Sequence, residues 1–133
     1  MTPSFVISRQ DLLATLPKGL KIAELGVFSG EFSQDILNIC EPSLLLLIDR
    51  WEGMQACGDQ HGMNIRWEPG DALFAQVLGR FEGVQEVDIL RGDSVSIGNF
   101  VDQFDFVYVD ADHSEKAVYA DLIAANMAVR QGG

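Results

Sequence analysis

The sequence predicts an α/β domain built on an open, doubly wound parallel sheet. Short apolar runs alternate along the chain with segments whose apolar residues recur at helical spacing. Strands separated by helices form parallel βαβ units, with helices on both faces of the sheet. Glycine or acidic residues follow each of the first two apolar runs. Because the carboxyl ends of parallel strands meet at one edge of a sheet, these residues indicate a ligand site there.

Each predicted element has a local reason. Strands are expected at the apolar runs, namely Lys21–Leu25, 44–48, 85–90 and 104–109, and the continuous apolar character of the last run suits burial on both faces. Helices are expected where the spacing is helical, namely 8–16, Glu31–Cys40, 71–81, 95–101 and 114–130. Ser8 is a predicted N-cap of the first helix. The last helix is expected to bury a stripe of Val118, Leu122, Ala125 and Val129.

The turn after the first strand reads Ile22-Ala-Glu-Leu-Gly-Val-Phe-Ser-Gly30. Gly26 and Gly30 permit a tight strand-to-helix turn and a close approach of the backbone to a ligand. The turn lacks both G-x-G-x-x-G and a following Lys-Ser/Thr, so a phosphate cradle is disfavoured. Glu24 and Glu31 would repel a pyrophosphate, and they suit a cofactor with a cationic centre. A purely structural turn is the alternative interpretation.

The second apolar run ends in Asp49, 25 residues after Glu24. An acidic residue at this place can hold the hydroxyls of a ribose. Trp51 follows closely, and it is predicted to pack on the ribose or the adenine of the same cofactor. The alternative is a solvated aspartate beside a core tryptophan.

The order Glu24-x-Gly26-x-x-x-Gly30 resembles the first motif of the class I S-adenosylmethionine-dependent methyltransferases, E/D-x-G-x-x-x-G. The resemblance implies a Rossmann-like sheet of seven strands, of which about four are present in this chain. In that family a Gly-Gly such as Gly132-Gly133 introduces the fifth strand. Residues 1–133 are therefore expected to form a single S-adenosylmethionine-binding methyltransferase domain that is incomplete at its C-terminus, with one strand edge unpaired.

The resemblance also implies roles for individual residues. Glu24 would position the methionine part of the cofactor indirectly, Gly26 and Gly30 would shape the loop, and Asp49 would hold the ribose. Asp93 and Ser94, which end the third strand, would approach the adenine amino group. The residues alone leave a second role for Asp93 open, as N-cap of the following short helix.

The fourth strand ends in Val109-Asp110-Ala-Asp112-His113. This segment is similar to one in metal-dependent catechol and caffeoyl-CoA O-methyltransferases, where its first aspartate binds a divalent cation. The similarity implies Asp110 as a ligand of Mg²⁺, which would prepare a substrate hydroxyl for attack on the methyl group. The family has a lysine where this chain has His113, so a metal-free reaction with His113 as general base remains open. The structural alternative is that Asp112 or Ser114 caps the last helix and that His113 is an exposed turn residue, and capping is expected for Asp112 in either case.

Residues 51–70 show no clear periodicity and are predicted to form a lid over the substrate. Cys57, Asp59 and His61 lie in this stretch as C-x-D-x-H, which lacks the second ligand pair of a zinc site.

Composition limits the partners. The net charge of −11 disfavours DNA, RNA and anionic membranes, so a small-molecule acceptor is expected. Two cysteines without metal spacing, and no apparent signal peptide, predict a cytoplasmic protein. The unpaired edge of the fourth strand leaves a homodimer open. The alternative functions are a non-catalytic nucleotide- or adenosylmethionine-binding module or subunit, and an NAD-dependent oxidoreductase of similar topology.

Overall fold

A computed structural model describes residues 7–52, 54–55, 67–68, 70–111 and 113–133. Its strands are β1 (Lys21–Leu25), β2 (Leu44–Asp49), β3 (Met54–Gln55), β4 (Trp67–Glu68), β5 (Val87–Arg91) and β6 (Phe106–Val109). Its α-helices are α1 (Arg9–Ala14), α2 (Glu31–Cys40), α3 (Gly70–Arg80) and α4 (Glu115–Ala128), and a 3₁₀ helix spans Ser94–Asn99.

Four of these strands form one parallel sheet in the order β5-β2-β1-β6. The first strand, β1, lies inside the sheet, and β2 and β5 follow on one side of it. The chain then returns to the other side of β1, where β6 is added. The sheet therefore has a switch point between β1 and β6, where the two directions of winding meet. The predicted doubly wound α/β fold is confirmed.

The core consists of two apolar layers, one on each face of the sheet. Alternate residues of the central strands point to opposite faces, so that Leu45 and Leu47 join one layer while Leu46 and Ile48 join the other. The first layer is completed by α1, α2 and α3, and the second by the 3₁₀ helix and α4. Helices on both faces explain why β2 is apolar at almost every position.

The predicted buried stripe of the last helix is confirmed at Ala125 and wrong at Val118 and Leu122. Leu122 is 53 % exposed and Val118 is half-buried, whereas α4 turns a face of mostly small residues inward. That face contains Asp121, Ala124, Ala125 and Ala128. Alanines allow close packing on the 3₁₀ helix, where Gly98 would place an added Cβ 3.5 Å from the Cβ of Ala124. Close packing of small residues, rather than a large apolar stripe, sets the orientation of this helix.

Strand β6 is half-buried at every position instead of buried on both faces as predicted. It pairs with β1 on one side, and within the described ranges its other edge gains only a bridge between Phe104, just before the strand, and Val129. In the stretch that the sequence predicts as irregular, β3 and β4 form a two-residue antiparallel pair. No helix in the described part of the chain has the length and apolarity needed to cross a bilayer.

Candidate functional site

The carboxyl ends of β1, β2 and β6, with the loop after β5, surround an open cleft of about 890 Å³. Seven of the nine predicted site residues line it: Glu24, Gly26, Asp49, Asp93, Ser94, Asp110 and His113. The other two, Gly30 and Trp51, are not among its lining residues. A cleft at the switch point of a parallel sheet is where ligands bind in open α/β folds.

The two glycines of the β1–α2 loop have different reasons to be glycine. Gly26 has φ of 90°, and a Cβ there would lie 2.0 Å from the backbone oxygen of Asp110. Any side chain would thus collide with the β6 loop across the cleft floor. Gly30 has φ of 85° at the start of α2, and an added Cβ would touch Arg80 and Phe81 at 3.3 Å. Gly30 therefore serves the turn and the packing on α3 rather than the cleft wall.

Asp49 organises the β1–α2 loop. Its Oδ2 accepts hydrogen bonds from the backbone N–H groups of Val27 at 2.7 Å and Phe28 at 2.9 Å. Its Oδ1 accepts one from the backbone N–H of Trp51 at 2.8 Å. A carboxylate offers about four acceptor positions. Three are therefore occupied by backbone, and no residue in the described part of the chain occupies the fourth, on Oδ1.

Trp51 does not fit a direct contact with the cofactor, and this interpretation is corrected. Its side chain is 1 % exposed and packs on Phe74, with ring centroids 5.0 Å apart. Its indole Nε1–H donates to the carbonyl oxygen of Phe28 at 2.9 Å. Trp51 has φ of 44° and Phe28 has φ of 58°, both in the left-handed region that side chains rarely adopt. The tryptophan supports this strained loop from the core side.

Glu24 is a buried carboxyl group, 1 % exposed, at the end of β1. It accepts a short hydrogen bond from the hydroxyl of Ser33 on α2. Burial raises the pKa of Glu24 to about 8, the Ser33 hydrogen bond opposes this rise, and the nearby Asp110 carboxylate adds to it. At neutral pH the group is therefore largely protonated, and a bound cation would favour its ionised form.

At the other end of the cleft, Asp93 and Ser94 have different partners. Asp93 occupies the N-cap position of the 3₁₀ helix without a side-chain capping bond, and its carboxylate pairs instead with Arg50 at 3.1 Å. Ser94 donates a short hydrogen bond to Asp121 of α4. Asp121 is 2 % exposed, and its Oδ2 is the buried side-chain oxygen without a hydrogen-bond partner among the residues described.

Asp110 and His113 lie on the exposed side of the cleft. The two side chains are 40 % and 85 % exposed, and His113 Nε2 is 3.8 Å from Asp110 Oδ1. Ser114 is the N-cap of α4, and its hydroxyl accepts a hydrogen bond from the backbone N–H of Ala117 at 3.3 Å. The other predicted cap, Asp112, lies outside the described residues, and so do Cys57, Asp59 and His61. Within the described ranges, no three acidic, histidine or cysteine side chains form a metal-binding group. These residues do not by themselves fit Mg²⁺ at Asp110.

Sequence reasoning missed Arg9 and Asp121, which both line the cleft. The guanidinium of Arg9 lies over the ring of Phe32 at 4.3 Å and reaches Asp110 at 3.4 Å. No local pattern indicated Arg9, because it precedes the glycine loop on a separate helix. For Asp121 a signal was present: a carboxylate at helical spacing from Ala124, Ala125 and Ala128 lies on the small-residue face of its helix.

The sheet order, the glycine turn after β1 and the position of the cleft define the Rossmann-like α/β fold of the S-adenosylmethionine-dependent methyltransferases. A family model described as "Methyltransferase domain" matches residues 23–133. The chain belongs to this family. No curated protein sequence matches it.

Solved structures share the fold at low sequence identity. The fibrillarin pre-rRNA processing protein of Methanococcus jannaschii is 16 % identical, with a TM-score of 0.61 over 88 % of this chain and 44 % of that protein. Aeropyrum pernix fibrillarin, in complex with natively bound S-adenosyl-L-methionine, is 16 % identical, with a TM-score of 0.61 over 93 % and 49 %. Spermidine synthase of Thermotoga maritima is 14 % identical, with a TM-score of 0.59 over 93 % and 39 %. The chain thus spans half or less of the length of these three proteins.

Proposed function

We propose that the cleft binds S-adenosylmethionine and that the whole protein transfers its methyl group to an oxygen of a small molecule. The observation that carries the proposal is the clustering of seven predicted site residues around one cleft in a chain of the methyltransferase family. Structures with the same fold include a fibrillarin with natively bound S-adenosyl-L-methionine.

The cleft has separate places for the parts of this cofactor. Asp49 is proposed to hold the ribose, with a hydroxyl at the Oδ1 acceptor position that the described backbone groups leave unoccupied. Asp93 and Ser94, which line the cleft, are assigned to the adenine, as the resemblance implies. Glu24 and Asp110 lie at the opposite end, and their carboxyl groups are complementary to a sulfonium and an ammonium group. The acidic cleft therefore favours this cofactor over NAD, whose pyrophosphate it would repel.

Methyl transfer breaks the bond from sulfur to the methyl carbon and forms a bond from that carbon to the acceptor oxygen. S-adenosylhomocysteine leaves, and the acceptor hydroxyl loses its proton. His113 is the proposed base, since its imidazole lines the cleft and its Nε2 faces Asp110, which would stabilise the imidazolium that forms. Most of the rate enhancement is assigned to holding the two reacting atoms in line.

A small-molecule acceptor agrees with the net charge of −11, because a polyanion such as RNA would be repelled. A cytoplasmic location stays a prediction from the sequence, to which the two cysteines without metal spacing contribute. Mg²⁺ remains a prediction from the resemblance at Asp110, and no step is assigned to it. Chelation of divalent cations tests this prediction. Loss of activity with EDTA and recovery with Mg²⁺ would mean that the whole enzyme uses the metal, with ligands in addition to the residues described.

Isothermal titration calorimetry with S-adenosylhomocysteine, and with NAD as a control, tests the proposal. Saturable binding of S-adenosylhomocysteine alone is the expected result. Binding of NAD alone would reject the proposal in favour of an oxidoreductase. If neither ligand binds this chain or a version extended to the length of its structural neighbours, the cofactor assignment is wrong. If the extended protein binds S-adenosylhomocysteine and methylates no acceptor of any class, it is a binding module, whereas methylation of another class of acceptor would reject only the small-molecule oxygen.

A further inference from the structure

We propose that Arg9 is the residue that binds the α-carboxylate of the cofactor's amino-acid part. The inference rests on the proposed function and goes beyond it, because it assigns a recognition role to the helix that precedes the glycine loop. The first observation is that acidic side chains outnumber basic ones along the cleft. The cleft is lined by many carboxyl groups, whereas its described cationic or basic side chains are Arg9, Arg50 and His113. A zwitterionic amino acid requires a cation for its carboxylate as well as anions for its positive groups.

The position of Arg9 is set by α1. Ser8 and Asp11 form a capping box at the start of this helix, with both hydrogen bonds at 3.0 Å. Leu13 of the same helix is fully buried in the core layer beneath α2. Arg9 itself lies in the first turn, and its guanidinium stacks on Phe32 at 4.3 Å. The helix cap, the buried Leu13 and the ring of Phe32 together hold the guanidinium of Arg9 at the cleft.

The ion pair of Arg9 is longer than those of Arg50, the other arginine of the cleft. Arg50 makes two close ion pairs, with Glu52 at 3.0 Å and with Asp93 at 3.1 Å. Arg9 reaches Asp110 only at 3.4 Å, and it also interacts with Tyr108. Its side chain is 50 % exposed. A guanidinium carries five N–H donors in a planar fork, so Arg9 retains donors for a bidentate carboxylate.

Arg9 is also at the appropriate end of the cleft. It interacts electrostatically with both Glu24 and Asp110, whereas Arg50 is paired with Asp93 at the end assigned to adenine. An amino acid bound between these groups would place its ammonium near the carboxyl groups and its carboxylate on Arg9. Charge complementarity would then fix which way the cofactor lies.

A comparison of two ligands isolates the amino-acid part of the cofactor. S-adenosylhomocysteine carries the amino-acid part, and 5′-methylthioadenosine retains the adenosine and lacks that part. Calorimetry would compare wild type, Arg9→Gln, Arg9→Lys and the control Arg80→Gln. Arg80 is exposed at the end of α3 and is not a lining residue of the cleft, and its substitution changes the net charge equally.

Arg9→Gln is expected to lower the affinity for S-adenosylhomocysteine by about 10- to 100-fold, the range for hydrogen bonds to a charged group. The affinity for 5′-methylthioadenosine should fall by less than about twofold. Arg9→Lys should fall between, because it keeps the charge and loses the fork. Arg80→Gln should change neither affinity. Equal losses for both ligands, or no loss for S-adenosylhomocysteine, would overturn the role of Arg9 while leaving the cofactor assignment intact. No binding by the wild-type protein, even when extended, would instead reject the proposed function itself.

Discussion

The two loops that face each other across the cleft differ in how firmly the chain holds them. In the β1–α2 loop, residues 26–30, backbone groups are bound by Asp49 and by the indole of Trp51, and Gly26 N–H donates to Ile48 at 2.9 Å. In the loop after β6, the backbone N–H of Asp110 donates to Leu25 at 2.8 Å, but the side chains of Asp110 and His113 are 40 % and 85 % exposed.

This difference indicates that the two loops have different roles in binding. A loop fixed before the ligand arrives loses little conformational freedom on binding, so the β1–α2 side is preorganised for the cofactor. The exposed side chains of the β6 loop are free to adjust to an acceptor. The following predictions test this contrast, beginning with the largest expected effect.

Gly26→Ala should be the most damaging change, because the methyl group would overlap the backbone of Asp110 and the residue would keep its positive φ. We expect a loss of roughly 2–5 kcal/mol in the free energy of unfolding, the sum of left-handed strain and overpacking. Urea denaturation measures it. Gly79→Ala is the matched control, since nothing lies within 4 Å of an added Cβ in that helix. It should stabilise by about 0.5–1 kcal/mol. Similar effects for both variants would mean that the two loops are not in close contact.

Glu24 should make the protein less stable as the pH rises. Its folded-state pKa of about 8 lies above the ordinary value of 4.5, so the folded state binds more protons than the unfolded state between these pH values. This contribution is fully present below pH 4.5 and is lost by about pH 8. The loss is on the order of a few kcal/mol.

Glu24→Gln keeps an acceptor for Ser33 and removes the titration. The variant should therefore show a flatter dependence of the urea midpoint on pH between 5 and 8 than the wild type. An unchanged slope would mean that Glu24 ionises at its ordinary pH and that the cleft is wetter than the structure indicates.

Asp49→Ala should weaken binding of S-adenosylhomocysteine by ~1–3 kcal/mol, because it removes the acceptor for three backbone N–H groups as well as for the ligand. Calorimetry measures the affinity, and urea denaturation should show a parallel loss of stability. A loss of affinity with unchanged stability would limit Asp49 to a ligand contact. Unchanged affinity would remove it from the site.

Trp51→Phe should cost about 1–2 kcal/mol of stability, since it leaves the carbonyl of Phe28 without its indole donor in a partly buried position. Affinity for S-adenosylhomocysteine should fall only through the loosened loop. An effect on affinity much larger than that on stability would restore the direct contact that the structure does not show.

His113→Ala should change the free energy of unfolding by less than about 0.5 kcal/mol, because the side chain is largely exposed. In the extended enzyme it should lower kcat and leave the affinity for S-adenosylhomocysteine unchanged. A loss of stability comparable with that of Asp49→Ala would contradict the contrast between the two loops.

Much of the fold follows from local sequence. The bounds of β1 and α2 were predicted without error, because an apolar run, a glycine turn and a helical repeat follow one another directly. The grouping of Glu24, Asp49, Asp93 and Asp110 around one cleft was also predictable, since the carboxyl ends of parallel strands share an edge.

What the sequence could not supply depended on contacts between distant segments. Local spacing left open whether Trp51 faces a ligand or the core, and packing on Phe74 decided it. The buried face of α4 depended on how closely the 3₁₀ helix approaches it, which favoured alanines and Asp121 over Leu122. Arg9 meets Asp110 across 101 positions of sequence, a proximity that the packing of α1 against α2 produces. Local periodicity determines which elements form, whereas the burial of each side chain is decided by the partner that its element meets.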